Sequence, residues 1–288
     1  MKKILFLLVM VCNLSFADTI NIVMPTAAGG NVDVFARALS KVLTDSDIEN
    51  VIMYNPGANG DIAYNQTMNR SESSMLIAPI NVSVFSHIVQ NRENFHTKNM
   101  KIFAPMVETP FAFVTSSNGF KSFSEMVAYA KVNELPCGVS GANSIEILRI
   151  NKQYKTNFLP ITYKGTSQIK TDLLGGHIKC AYDGAGAYSQ DNETGSVKYL
   201  ASNLNSLKNV PNIDTVLSHY KFQMWFAVAI PNDSKLLKND KLINTLLTIN
   251  SNKEYTDKLS QHNLYPTTTS NKINDNIEKL SNQYRNVQ

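Results

Sequence analysis

The residues of this chain best suited to chemistry sit in short turns, most of them glycine-bearing. They are Ala27-Ala28-Gly29-Gly30-Asn31, with Asp33 just beyond, then Asn55-Pro56-Gly57-Ala58-Asn59-Gly60 and Asn81-Val82-Ser83. Further on come Ser140-Gly141-Ala142-Asn143-Ser144, Lys164-Gly165-Thr166-Ser167 and Asp183-Gly184. Each follows a short apolar or β-branched run, and most precede a helical pattern, which is the arrangement of a βα turn. A helix start carries unpaired N–H groups and a partial positive charge, so several of them converging on one cleft bind an anion. One such turn needs its glycine only to bend; several point to a cleft at the carboxyl edge of α/β sheets, where ligands bind.

One turn also comes close to a nucleophile elbow. Gly138-Val139-Ser140-Gly141-Ala142 departs from G-x-S-x-G at its fifth position. With Ser140 as nucleophile, Asp183 or Asp214 and then His219 or His262 follow in the chain order of a serine hydrolase, which is kept as an alternative. Against it, no His-Gly-Gly segment lies upstream to form an oxyanion hole. Nucleotide cofactors are not indicated, because the Gly29-Gly30 turn has neither G-x-G-x-x-G spacing nor a Gly-Lys-Ser/Thr ending. His87, His96, His177, His219 and His262 are scattered without ligand spacing, so no metal is expected.

The elements that must carry these turns are legible in the hydrophobic pattern. Residues 19–24 read as a strand ended by Pro25. Val32, Phe35, Ala36, Leu39, Val42 and Leu43 recur on one face of a helix. Strand, turn and helix repeat through residues 51–54 and 75–79, a βαβ series that implies a mostly parallel sheet. Residues 103–114, broken by Pro105 and Pro110, read as an extended crossing to a second lobe. There Ser122 or Ser124 caps a helix running to Lys131. Strands follow at residues 137–139, 159–163 and 178–182. Residues 222–230 bring the chain back, and residues 235–288 read as helices covering the first lobe. The first lobe is thus residues 18–108 with 227–288, and the second is residues 109–226.

The 288 residues are 43% hydrophobic and 17% charged, a globular rather than disordered composition. Lys2 and Lys3 followed by the short apolar run Ile4 to Cys12 predict a secretory signal peptide over residues 1–17, cleaved after Ala17. Its removal lowers the formal charge from +4 to +2. No basic cluster with interleaved aromatics remains, so nucleic acid is not an expected partner. Cys137 and Cys180 alone then persist; they read as two buried thiols on strands, with one disulfide the other outcome an oxidising compartment permits.

Taken in order, these segments resemble the receptors of tripartite tricarboxylate transporters, also called Bug proteins. The residues carrying the resemblance are Pro25 to Arg37, with Gly29-Gly30 and Asp33, and the Asn55–Gly60 loop. Tyr163-Lys164-Gly165-Thr166, Asp172-Leu173-Leu174-Gly175-Gly176 and Trp225 to Pro231 complete the set. The resemblance implies an α/β, type II periplasmic-binding-protein-like fold: two α/β lobes, two crossover segments and a ligand cleft between them. It implies an exported, periplasmic, monomeric receptor that captures a small organic carboxylate without chemistry and delivers it to a membrane transporter. A sensor docking onto a membrane signalling partner is the remaining alternative.

Carried over by position, the resemblance places ligand contacts at Ala28, Gly29, Gly30 and Asn31, with Asp33 either a contact or a brace for the turn. Asn81 and Ser83 follow in the first lobe. Ser140, Ala142, Asn143, Ser144, Thr166 and Asp183 face them from the second. Lys164 reads as a solvated loop lysine. Where the family commonly has a histidine-leucine pair, this chain has Ile145-Glu146-Ile147-Leu148 on a shortened loop, an altered wall to the pocket.

Overall fold

The computed structural model describes residues 19–79 and 99–267. The expected signal peptide, Asn81, Ser83 and the helical pattern beyond residue 267 lie outside the described residues. Among the described residues, no helix is long and apolar enough to cross a membrane.

Strand β1 (Ile20–Met24) is buried at Ile22, Val23 and Met24, as a strand covered on both faces must be. Gly30 starts α1 (Asn31–Asp45), whose predicted apolar stripe from Val32 to Leu43 packs into the core. Then come β2 (Asn50–Tyr54), α2 (Asp61–Asn69) and β3 (Ser74–Pro79); β2 and β3 flank β1 in parallel. Strand β4 (Met100–Thr109) ends at Pro110, and β5 (Phe111–Ser116) begins directly after it in the other sheet.

The second series opens with α3 (Phe123–Val132). Its cap is Ser122, whose hydroxyl accepts from the Glu125 amide at 3.1 Å, while the Glu125 carboxylate accepts from the Lys121 amide at 2.7 Å. Next are β6 (Leu135–Ser140), α4 (Ser144–Tyr154), β7 (Phe158–Tyr163), α5 (Thr166–Leu174), β8 (Cys180–Gly184), α6 (Ser189–Glu193) and β9 (Val197–Ser202). The chain returns through β10 (Met224–Pro231) to α7 (Asp240–Thr248), α8 (Lys253–Ser260) and β11 (Tyr265–Thr267).

These strands form a six-stranded sheet of order β11-β4-β10-β3-β1-β2 and a five-stranded sheet of order β7-β6-β8-β5-β9. Both sheets are mixed, which corrects the expectation of a mostly parallel one. The parallel pairs β1–β2, β1–β3, β6–β7 and β6–β8 come from βαβ units. The strands at the crossings run the other way: β10 is antiparallel to β3 and β4, and β5 is antiparallel to β8 and β9. Met224, Trp225 and Phe226, read from the sequence as the end of the second lobe, pair with Thr109, Glu108 and Val107 in the first sheet.

Two further expectations are revised. Cys137 and Cys180 are register partners on adjacent strands with their Cα atoms 4.6 Å apart, and they form a disulfide rather than two free thiols. The Ile145–Leu148 segment is not loop but the first turns of α4. Ile145 and Ile147 enter the core, and Glu146 forms a buried ion pair with Arg149 at 2.5 Å. Arg149 also donates to the Lys221 carbonyl at 3.2 Å and lies 5.1 Å over the Tyr220 ring, so α4 is tied to the returning segment.

Candidate ligand-binding site

A cavity of about 280 Å³ lies between the two sheets. The first sheet and its turns contribute Thr26, Asn31, Val32, the Gly57 and Gly60 turn, Met224 and Phe226. The second contributes Phe111, Ser140, Asn143, Thr162, Tyr163, Lys164 and Asp183.

Asp183 is the most constrained of these groups. It is the last residue but one of β8 and a buried carboxylate. Its Oδ1 accepts from the Ser140 hydroxyl at 2.9 Å, and its Oδ2 accepts from the Thr166 hydroxyl at 2.7 Å and the Tyr188 hydroxyl at 3.5 Å. Burial pushes the Asp183 carboxyl above its ordinary range, against the opposing effect of donors from Thr166, the Gly184 backbone, Ser140 and Tyr188. Burial, with the Asp183 charge beside it, drives the Tyr188 phenol well upward in turn, so Tyr188 stays a neutral donor. Asn143 donates to the Ser140 oxygen at 3.1 Å, fixing that hydroxyl between two partners.

Across the cleft, Asn31 is the first residue of α1. Its side-chain amide donates to the buried Thr109 hydroxyl at 2.7 Å. It lies so near the end of β8 that a Cβ on Gly184 would fall 2.4 Å from Asn31 Nδ2. The lobes also approach through backbone: a Cβ on Gly165 would fall 3.1 Å from the Ala27 Cβ, and the Ala27 amide points to the Lys164 carbonyl at 3.5 Å. Glycine is needed at these positions for close approach.

The first turn behaves differently from its expected role. Gly29, at φ +91°, donates its N–H to Asp33 Oδ2 at 2.9 Å rather than holding it free for a ligand. Asp33 also accepts from Arg37 Nε at 3.0 Å and from the Tyr54 hydroxyl at 2.6 Å, so its carboxylate braces the turn. Ala28, Gly29, Gly30 and Asp33 do not line the cavity; Gly30 packs instead against Thr166. Of the remaining expected residues, Asn31, Ser140, Asn143 and Asp183 are brought together on the cavity wall, and Thr166 stands behind Asp183. Ala142 lies in the 3-10 turn Gly141–Asn143, and Ser144 begins α4, outside the lining.

Thr26, Phe111, Thr162, Tyr163, Lys164, Met224 and Phe226 are lining residues that sequence reasoning did not single out as contacts. Most flank the quoted turns at strand ends, which is the signal that could have found them. Tyr163 is oriented by its hydroxyl donating to Asp172 at 2.6 Å; burial, with Asp172 reinforcing it, pushes its phenol up to about 12. Lys164 is the one cation and Asp183 the one carboxylate among the described lining residues.

Beside these two charged groups the wall offers hydroxyls, amides and apolar rings. No histidine lines the cavity among the described residues, and the Ser140 hydroxyl donates its hydrogen bond to a buried carboxylate. No group of three metal-ligating side chains occurs among the described residues. The chain is 27% identical over 213 residues to a UPF0065 protein of Bordetella bronchiseptica, a match covering 68% of this chain. That match spans 62%, less than two thirds, of the relative's own length. Among solved structures, a Rhodopseudomonas palustris protein with adipate superposes with a TM-score of 0.82 at 20% identity, over 93% of this chain and 95% of that one. MatC from the same organism, with bound malate, gives 0.81 at 15% identity over 93% and 98%. These likenesses show the two-lobed α/β fold of periplasmic binding proteins. The model of the tripartite tricarboxylate transporter family receptor matches residues 34–285, a family of solute-binding proteins rather than hydrolases, and the chain belongs to it.

Proposed function

We propose that this protein is an exported receptor that binds a small organic carboxylate between its two lobes and presents it to a membrane transporter of the tripartite tricarboxylate type. The observation that carries the reading is the cavity itself. Asn31 at the start of α1 faces Ser140, Asn143 and Asp183 at the ends of β6 and β8, in a receptor-family chain. At about 280 Å³ the space suits a small acid, at or below the roughly 300–1,000 Å³ of ordinary ligand pockets. Hydroxyl and amide donors, with the helix starts behind them, supply the polar contacts. Lys164 at the cavity wall is the natural partner for a second anionic group. Malate and adipate, bound by the neighbours above, are the first ligands to test here.

In this reading the lobes are hinged at the Pro110 crossing and at the return before β10, and ligand favours the closed form by binding it better than the open one. A thermal-shift series with malate, adipate, citrate and acetate tests it. A true ligand at a hundredfold excess over its Kd adds about 2.7 kcal/mol of stability. A flat melting temperature across all four acids would sink the receptor reading.

A further inference from the structure

We infer that the Cys137–Cys180 disulfide is a positioning element of the ligand site, holding together the two halves of the second sheet on which that site is built. Its ligand part rests on the receptor reading above; its structural part does not.

The second sheet has a seam between β6 and β8. Among the described residues their ladder consists of Cys137 opposite Cys180 and Gly138 opposite Ala181, and then stops. On one side, β6 stays paired with β7 from Leu135 opposite Phe158 to Ser140 opposite Tyr163. On the other, β8 stays paired with β5 from Val114 opposite Ala181 to Phe111 opposite Gly184. The strands are therefore well held outward and weakly held to each other at the end nearest the cleft.

The cavity wall divides along the same line. Ser140, Asn143 and Lys164 belong to the β6–β7 side, and Phe111 and Asp183 to the β5–β8 side. Beyond Gly138 and Ala181, side chains bridge the seam: Ser140 and Thr166, from the β6–β7 side, both donate to Asp183. Two hydrogen bonds to one carboxylate are a weak hinge on which to hold a site that needs roughly 0.5 Å precision.

The disulfide closes the other end. Cys137 and Cys180 each lie three residues before the members of the Ser140–Asp183 pair, about 10 Å along their strands. Both cysteines are fully buried. Gly138 beside them leaves no slack, since a Cβ there would meet Ile178 Cδ1 at 2.6 Å and Ile169 Cγ2 at 2.7 Å. A covalent bond between register partners fixes the separation and phase of the two strands. The two hydroxyl donors then meet one carboxylate at the cleft.

The test compares the mature protein with the variants C137A/C180A and C137V/C180V, the latter filling the space with β-branched side chains suited to a strand. The first readout is amide hydrogen exchange. We expect the amides of residues 138–141 and 182–184 to exchange about tenfold or more faster in both variants, with residues 22–24 and 76–78 of the first sheet unchanged. The second is calorimetric titration with malate and adipate, where whichever acid binds the parent should bind the variants about tenfold more weakly. Faster exchange spread evenly over both sheets, or none anywhere, would overturn the inference and leave the bond a general stabiliser. If neither acid binds the parent protein, the receptor reading fails for these ligands while the exchange pattern still decides the role of the disulfide.

Discussion

The Asn31 side chain donates a 2.7 Å hydrogen bond to the Thr109 hydroxyl, joining the first residue of α1 to the last residue of β4. Both residues are buried, and Pro110 carries the chain into the second sheet immediately afterwards. The contact thus sets the aim of a cavity-lining amide from the point where the lobes part. Replacing Thr109 with valine keeps the shape and leaves a buried N–H unpaired. Urea unfolding should show a loss of about 1–3 kcal/mol, with a smaller ligand-induced thermal shift. An unchanged urea midpoint would mean that the bond contributes nothing.

Asp183 should give the protein a measurable pH signature. Burial holds its folded-state carboxyl above the ordinary value of 3.8, so the folded protein keeps this proton after the unfolded chain has released it. Where the folded state binds more protons, stability falls as pH rises. This contribution is therefore fully present below 3.8, declines as pH rises through the raised value, and is level above it. In Asp183→Asn that component disappears, so the stability of the parent relative to the variant should fall between acid and neutral pH. Thermal melts at several pH values check this, and a difference that grows with pH would contradict it.

Gly186 lies where the second lobe meets the turn that follows α8. A Cβ at this position would fall 1.9 Å from the His262 carbonyl oxygen, a backbone atom that cannot swing away. Gly186→Ala should cost about 1–3 kcal/mol through overpacking and should weaken ligand binding by holding the lobes apart. Small-angle scattering of the variant with malate, compared with the parent, reports whether closure is impaired.

The Glu146–Arg149 pair is buried on both sides, so removing one partner strands the other charge. Glu146→Gln should lower stability by about 3–5 kcal/mol in chemical denaturation. Because Arg149 also bonds the Lys221 carbonyl, the same substitution should loosen the segment that returns the chain to β10. A loss under 1 kcal/mol would show that Arg149 is satisfied without Glu146.

The local elements were legible in the residues because each depends on near neighbours. The spacing from Val32 to Leu43 marks the buried stripe of α1, Ser122 and Ser124 mark the start of α3, and Pro105 and Pro110 mark the crossing in which β4 gives way to β5. Family membership was legible too, from motifs carried in order along the chain. Strand direction was not, since β10 is buried along its whole length and so reads as the continuous apolar run of a parallel strand although it pairs antiparallel. The role of Gly29 was hidden, and Asp33 stood open between contact and brace, because Tyr54, which helps occupy that carboxylate, comes from β2, 21 residues away.

The sequence by itself determined the two strand–turn–helix series and the crossings, through periodicity and punctuation, and the receptor family, through its resemblance in ordered motifs. Only the tertiary structure decided that Cys137 and Cys180 pair across β6 and β8, and that Ser140, Thr166 and Tyr188 converge on one buried carboxylate. The reason is physical. Those relations join residues up to 43 positions apart, and they exist only once sheet order and register bring the strands side by side.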